Sequence, residues 1–277
     1  MREPGLLGKA MRLTLALLML VWALFPVALV VLASLKPPRE IFAVPPGFVF
    51  TPVLDSYRRL WTEFPQFFAD LANSLIITAG ATALTLLASA SAGYVYSRCT
   101  SRLLTASAFL MILVRMLPTI IVTLPLFPIV NALRLNDTHV LLMGLYATFF
   151  VSLGTWIMKA FMDQIPKELD EAATMDGATQ LAILRRVILP LAARGMMAAA
   201  VFVMVFAWNE FVFAFIFTTR DARTAPLTIA EILGTVEGVD WGVLFAAATL
   251  QLLPVLAFVL LAQRWVVAGL AAGAVKG

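Results

Sequence analysis

The residues with most chemistry to offer are carboxylates gathered in one short polar stretch: Glu168, Asp170 and Glu171, followed by Asp176, with small Ala172 and Ala173 between them. Acids beside small residues suit docking better than catalysis. The alanines let a partner approach closely, and Glu171 and Asp176 offer carboxylates to its basic groups. The single cysteine, Cys99, leaves no intrachain disulfide, and with the single histidine, His139, it forms no Cys/His cluster able to hold zinc. No metal site is expected. There is no H-E-x-x-H or G-x-S-x-G motif, which argues against an intramembrane enzyme. The phosphate-cradling pattern G-x-x-x-x-G-K-S/T is also missing, so nucleotide binding falls to another chain and this one is expected to bind no cofactor.

The elements that must position these residues are membrane helices. Of 277 residues, 62% are hydrophobic and 13% charged, against roughly 45–50% and 25% in soluble domains. A crossing takes about 20 mostly apolar residues, and six stretches qualify: Met11–Ala33, Ser74–Tyr96, Leu103–Val130, Val140–Met158, Leu191–Phe217 and Gly242–Leu261. The chain therefore reads as an all-α integral membrane protein, a single transmembrane domain of six helices. The first apolar run is too long for a cleaved signal peptide. A net charge of +4 is compatible with nucleic acid binding, but the basic residues are scattered over short connectors, as membrane topology requires, and no nucleic acid partner is expected.

Twelve of the 20 Lys and Arg residues fall on one side of this arrangement and seven on the other, with Arg115 inside a span. The richer side is cytoplasmic, which places both termini in the cytoplasm and residues 34–70 and 218–241 outside. Six prolines (Pro37, Pro38, Pro45, Pro46, Pro52 and Pro65) resist continuous helix in the first outer segment and predict an irregular, partly packed cap. It serves as a connector or as a partner surface. Ala88, Ser89, Ala92 and Gly93 recur at four-residue spacing and predict close approach of a neighbouring helix.

The carboxylates sit in the cytoplasmic connection 163–190. Pro166 suits the first turn of a helix, and Glu168, Asp170 and Glu171 lie near its positive end. Gly177 supplies the left-handed residue that stops it. Thr179 then caps a second helix, Gln180–Leu189, expected to end before Pro190 and to line up Leu181, Leu184 and Ile188 on one face. Two ionisable groups fall within spans, where such residues are costly and face an interior. Arg115 lies about 12 residues, or about 18 Å, from the inner start of its span. Glu210 lies about seven residues, or about 10 Å, from the outer end of its own. Each is a candidate for lining a pathway or for structural pairing, with each other among the options.

The sequences Glu171-Ala172-Ala173, Asp176-Gly177-Ala178 and Leu189-Pro190-Leu191 together resemble the EAA loop of ATP-binding-cassette importer permeases. Asn73-Ser74-Leu75, Ala207-Trp208-Asn209-Glu210-Phe211 and the stretch from Gln263 to Gly277 resemble the sugar-permease branch related to the smaller membrane subunit of the maltose transporter. Arg194 stands where that family often has proline, which bears on the start of the fifth span.

The resemblance implies a type I importer permease fold and translocation of a sugar or polyol. It gives the ATPase-coupling role to Glu171, Ala172, Ala173, Asp176 and Gly177. It places Trp208, Asn209 and Glu210 near the substrate path, to which Arg115 is added as a candidate by its place inside a span, with the Trp208 ring as a flat face for a sugar, and Arg223, Thr224 and Pro226 at the contact with a binding protein. It also implies a second homologous permease, two cytoplasmic ATPase subunits using ATP and Mg, and a periplasmic solute-binding protein. The alternative is a secondary transporter of small solutes, which calls for paired halves and broken helices; the sequence shows no convincing internal repeat.

Overall fold

The computed structural model describes residues 6–45, 47–235 and 238–274. Arg2 and the final Val275-Lys276-Gly277, which enter the charge count and the C-terminal resemblance, lie outside the described residues. The chain divides into two compact units, Met1–Phe67 with Thr228–Leu253, and Phe68–Leu227 with Pro254–Gly277.

In the first unit, α1 (Leu6–Ser34) carries Lys9 and Arg12 near its start and is largely apolar beyond them, and none of its membrane-length window is buried. Its C-terminal Ser34 is fully buried, with its hydroxyl 2.8 Å from that of Tyr57. The proline-rich segment that follows packs locally: Val53 N donates to Leu35 O at 2.8 Å, and the Lys36 ammonium donates to Gly47 O and lies over the Phe50 ring. The short helix α2 (Asp55–Glu63) buries only Ser56 and Leu60. Arg59 on its surface pairs with Asp240, which also accepts from Val243 N at 3.2 Å. A Cβ at Gly242 would meet Ser56 Oγ at 2.6 Å, so only glycine permits that approach.

The second unit is built on two long helices, α3 (Gln66–Arg98) and, following α4 (Arg102–Met116) and α5 (Thr119–Ala132), α6 (His139–Met162). Four-residue spacing of small side chains brings α3 and α6 together. A Cβ at Gly93 would meet Met158 Cβ at 2.7 Å, one at Gly154 would overlap Ser89 Oγ, and the Ser89 hydroxyl donates to Val151 O. Of the predicted small residues, Ser89 and Gly93 are buried in this contact while Ala88 is exposed.

Among the described residues, four helices are long and apolar enough to cross a membrane, and two bent pairs bring the number to as many as six. The expected continuous span Leu103–Val130 is one of these pairs. Pro118 lacks an N–H and forces Leu117 out of the helical region, so α4 ends at Met116, Leu117 and Pro118 run extended, and α5 leaves at 95°.

The connection expected to face the cytoplasm, the inner connection, contains α7 (Glu168–Met175), α8 (Gln180–Ile183), a wide π-turn over Leu184–Ile188 and α9 (Leu189–Leu191). Pro190 does not end the second helix as expected. It has no N–H to return to the preceding turn, and the wide turn just before it absorbs the missing bond. An 80° bend at Ala192 then leads into α10 (Ala193–Trp208). The fifth span therefore starts two residues later than predicted, and it breaks again before α11 (Val212–Phe217). Gly195 allows α10 to pass the Phe161 ring. The helix α12 (Ala225–Leu233) and the long α13 (Trp241–Ala274) complete the chain.

Two apolar cores hold the second unit. One, containing Ile77, Leu142, Tyr146, Phe150, Phe213 and Phe217, lies toward the end expected to face outward. The other, containing Tyr94, Met158, Met162, Ile183, Leu184 and Ile188, lies toward the opposite, inner end.

Candidate functional site

The inner connection is held from below and left open above. Asp170, on α7, points back at α3. Arg98 Nε donates to its Oδ2 at 3.0 Å, a second guanidinium nitrogen stands at 3.0 Å, and the Tyr94 hydroxyl lies 2.7 Å from Oδ1. The same hydroxyl is 3.0 Å from the Gln180 side-chain oxygen on α8, so one phenol shares its proton between both helices of the connection. The Arg98 and Asp170 side chains are 9% and 15% exposed, which strengthens their attraction relative to a surface pair.

On the other side of α7, Glu171, Ala172, Asp176 and Gly177 are exposed, while Ala173 turns inward and packs against the inner core. Gly177 takes φ +79°, a conformation that favours glycine, and α7 stops two residues before it. Thr179 caps α8 by accepting from Ala182 N. The expected apolar face of the second helix divides. Leu184 and Ile188 sink into the inner core and Leu181 stays exposed. Exposed apolar surface is supplied instead by Leu181 and by Met175, which is 89% exposed.

The triplet Trp208-Asn209-Glu210 is the break between α10 and α11. A helix break at membrane depth frees backbone groups that lipid cannot satisfy, and the two polar side chains take them up. Asn209 Nδ2 donates to Val205 O at 2.8 Å at the end of α10. The Glu210 carboxyl accepts from Phe213 N at 3.0 and 3.2 Å at the start of α11. Arg115 does not join Glu210; its guanidinium lies 5.7 Å from the centre of the Phe206 ring. The Trp208 ring is 2% exposed and has no open face in this conformation, whereas Asn209 is exposed.

At the end expected to face outward, a turn over residues 218–225, the outer turn, is gripped by side chains from α3 and from the residues that lead into α6. Asp137, at φ +59°, accepts from the Thr219 hydroxyl and from the backbone N–H groups of Arg220, Asp221 and Ala222, all at 2.8–3.0 Å. Burial alone pushes the Asp137 carboxyl up, but the Ala222 and Asp221 amides and then the Thr219 hydroxyl outweigh it and hold the group well below the usual carboxylate range. Asn73 Nδ2 donates to Asp221 O and Arg223 O, its Oδ1 meets His139 Nε2 at 2.7 Å, and Ser74 Oγ accepts from Ala225 N. Arg223 is 3.6 Å from Asp70. Thr224 is buried and Arg223 and Pro226 are half-buried, so the open corner of the turn is Thr219-Arg220-Asp221.

Sequence reasoning found the exposed side of α7 but not the Asp170 joint, whose partners lie about 72 residues back along the chain. It also missed Asp137. The polar Asn136-Asp137-Thr138 preceding an apolar run was the available signal.

An exposed inner loop rooted in paired membrane helices, with broken spans beside it, is the architecture of a transporter's membrane component. The chain belongs to the family described as the binding-protein-dependent transport system inner membrane component, whose model matches residues 85–271. It is 34% identical to the trehalose/maltose transport system permease protein MalG of Thermococcus litoralis, over all of both chains. It is 38% identical to the trehalose transport system permease protein SugB of Mycobacterium tuberculosis, over 92% of this chain and 93% of that one. Among solved structures it is similar to a chain of a bacterial ABC transporter involved in import of the acidic polysaccharide alginate. That match has a TM-score of 0.73 at 19% identity and covers 96% of this chain and 100% of the other, which shows a shared fold.

The protein is thus an ABC importer permease of the inner membrane, a transport component that works with an ATPase and a binding protein. The secondary-transporter alternative is not favoured by this membership.

Proposed function

We propose that this chain is one of two homologous permease subunits that together carry a sugar or polyol inward by alternating access, with six spans and both termini in the cytoplasm. The partners are a second permease, two cytoplasmic ATPase subunits that use ATP and Mg, and a periplasmic solute-binding protein. The carbohydrate class is supported by relatives named for trehalose and maltose transport.

The observation that carries the reading is the two-sided inner loop. Glu171, Ala172, Asp176 and Gly177 form an exposed edge, and Asp170 and Ala173 on the same helix are fixed to the bundle. An ATPase that grips the exposed edge moves a body already fastened to the membrane helices. Glu171 meets a basic group of that ATPase, and the alanines set the closeness of approach.

Arg115, Asn209 and Glu210 border the substrate path, with Glu210 held in place by the amides it caps. Trp208 supports the path from behind. On the outer side Arg223, Thr224 and Pro226 shape the turn whose open corner, Arg220 and Asp221, meets the binding protein.

The test is reconstitution of the complex with its ATPase, second permease and binding protein, followed by ATP hydrolysis measured across a panel of disaccharides and polyols. Hydrolysis stimulated by one member of the panel, and lost in Glu171→Lys while the complex stays assembled, is the expected result. A complex that assembles without an ATPase, or a Glu171→Lys variant with undiminished stimulation, overturns the assignment of the loop.

A further inference from the structure

The two polar clusters described above sit at opposite ends of the same helix. At the inner end of α3, Tyr94 and Arg98 hold α7 and α8. At the outer end, Asp70, Asn73 and Ser74 hold the turn over residues 218–225. Between Asn73 and Arg98 the helix is unbroken and free of proline, a rod of about 38 Å.

It does not stand alone. Gly93 and Ser89 lock it against Met158 and Gly154 of α6, at contacts too tight for any added side-chain atom. The partner helix is fastened at the same two places. Arg98 Nη1 donates to Met162 O at its inner end, and His139, with Asp137 just before it, joins the outer cluster. By contrast, α4–α5 and α10–α11 are bent or broken midway. A broken span absorbs a push at its hinge, whereas an unbroken, close-packed pair passes it on.

We propose that the α3–α6 pair is the rigid member that transmits displacement between the inner loop and the outer turn, with Arg98–Asp170–Tyr94 as its inner joint and Asn73–Ser74 as its outer joint. The proposal rests on the coupling role given above to the inner loop. It makes Tyr94, Arg98, Asp170, Asn73 and Ser74 positioning residues: none need touch solute or nucleotide, and each sets how far motion at one face of the membrane is felt at the other. The partner contacts on α7 stay free because the joint uses Asp170 on its opposite side. The sharing of one Tyr94 proton between Asp170 and Gln180 keeps α7 and α8 moving together.

The experiment uses the assembled complex carrying Cys99→Ser and Arg220→Cys, which puts a single thiol of this chain at the open corner of the outer turn. Labelling by a fluorescent maleimide is timed with and without ATP plus orthovanadate, alongside basal ATP hydrolysis. The expected result is a nucleotide-dependent change in labelling rate on the order of tenfold. Arg98→Gln abolishes this change, and Tyr94→Phe, which removes one oxygen and keeps the ring, reduces it by about threefold. Both variants retain basal hydrolysis. Combining Arg98→Gln with Asn73→Ala adds nothing further, because the two joints act in series.

The proposal is overturned if the labelling change survives intact in Tyr94→Phe and Arg98→Gln, or if inner and outer substitutions reduce it independently. Should Arg98→Gln fail to assemble, Tyr94→Phe decides alone. A parallel Glu171→Lys complex separates the two levels. If it responds to nucleotide like the parent, the coupling role of the loop fails. If it loses the response while the joint variants keep it, only the rod fails.

Discussion

The inner loop and the outer turn are both held by an aspartate, and the two aspartates work in opposite ways. Asp170 binds side chains: a guanidinium and a phenol from a neighbouring helix, with an apolar core packed beside it. Asp137 binds mainly backbone, drawing three consecutive N–H groups and one hydroxyl into a single turn. The first arrangement fixes where a preformed helix sits and leaves its internal shape alone, so the loop travels as a body. The second fixes the shape of a segment that has no helix of its own, so loss of the carboxylate changes its conformation rather than its position. Mobility as a unit suits a part that is gripped from outside, and fixed shape suits a part that is recognised.

Substitutions that act on one side only test this contrast. The largest effect is expected for Glu171→Lys, which leaves Asp170 and the fold untouched: stimulated ATP hydrolysis falls more than tenfold while the hydrogen-exchange protection of residues 168–175 is unchanged. Loss of that protection would mean that Glu171 holds the loop's shape and that the contrast is drawn in the wrong place.

Next is Asp137→Asn, which weakens several charge-assisted bonds and should destabilise the outer turn by about 2 kcal/mol, read as faster exchange at Arg220, Asp221 and Ala222 with inner-loop exchange unaffected. The same group sets a pH dependence. Because the folded carboxyl lies below its unfolded value, its contribution is complete above the usual carboxylate range and is lost as pH falls through the folded value. Outer-turn protection should therefore persist on mild acidification and disappear only in strong acid, and this acid step should be missing in Asp137→Asn.

The smallest effect is expected for Gly177→Ala. Nothing lies within 4 Å of the added Cβ, so the cost is only the φ of +79°, about 1 kcal/mol. A modest fall in loop stability with coupling preserved would show that the docking edge needs its charge more than its turn.

Four of the apolar runs were legible as whole helices of membrane length because length and apolarity act locally, and the end of α7 at Gly177 was legible because a left-handed stop is written in one residue. The breaks were only half legible. Pro118 lies in plain view inside the third run, yet its 95° consequence depends on what surrounds the exposed carbonyls. The face of Leu181, Leu184 and Ile188 divides because helical spacing groups residues without fixing which of them meets the core: Leu184 and Ile188 are buried and Leu181 is exposed. Asp170 and Asp137 could not be assigned, since their partners are distant in sequence and no spacing rule links them. Glu210 stood out as a costly membrane residue and Asn209 only as part of a resemblance, but their work as caps needed the break to be seen first.

Those two caps carry a consequence for the transporter at rest. Because one carbonyl at the end of α10 and one amide at the start of α11 are satisfied by Asn209 and Glu210 within the same chain, the chain itself supplies polar partners at the break. A bilayer can therefore close around the break without leaving that carbonyl or that amide bare.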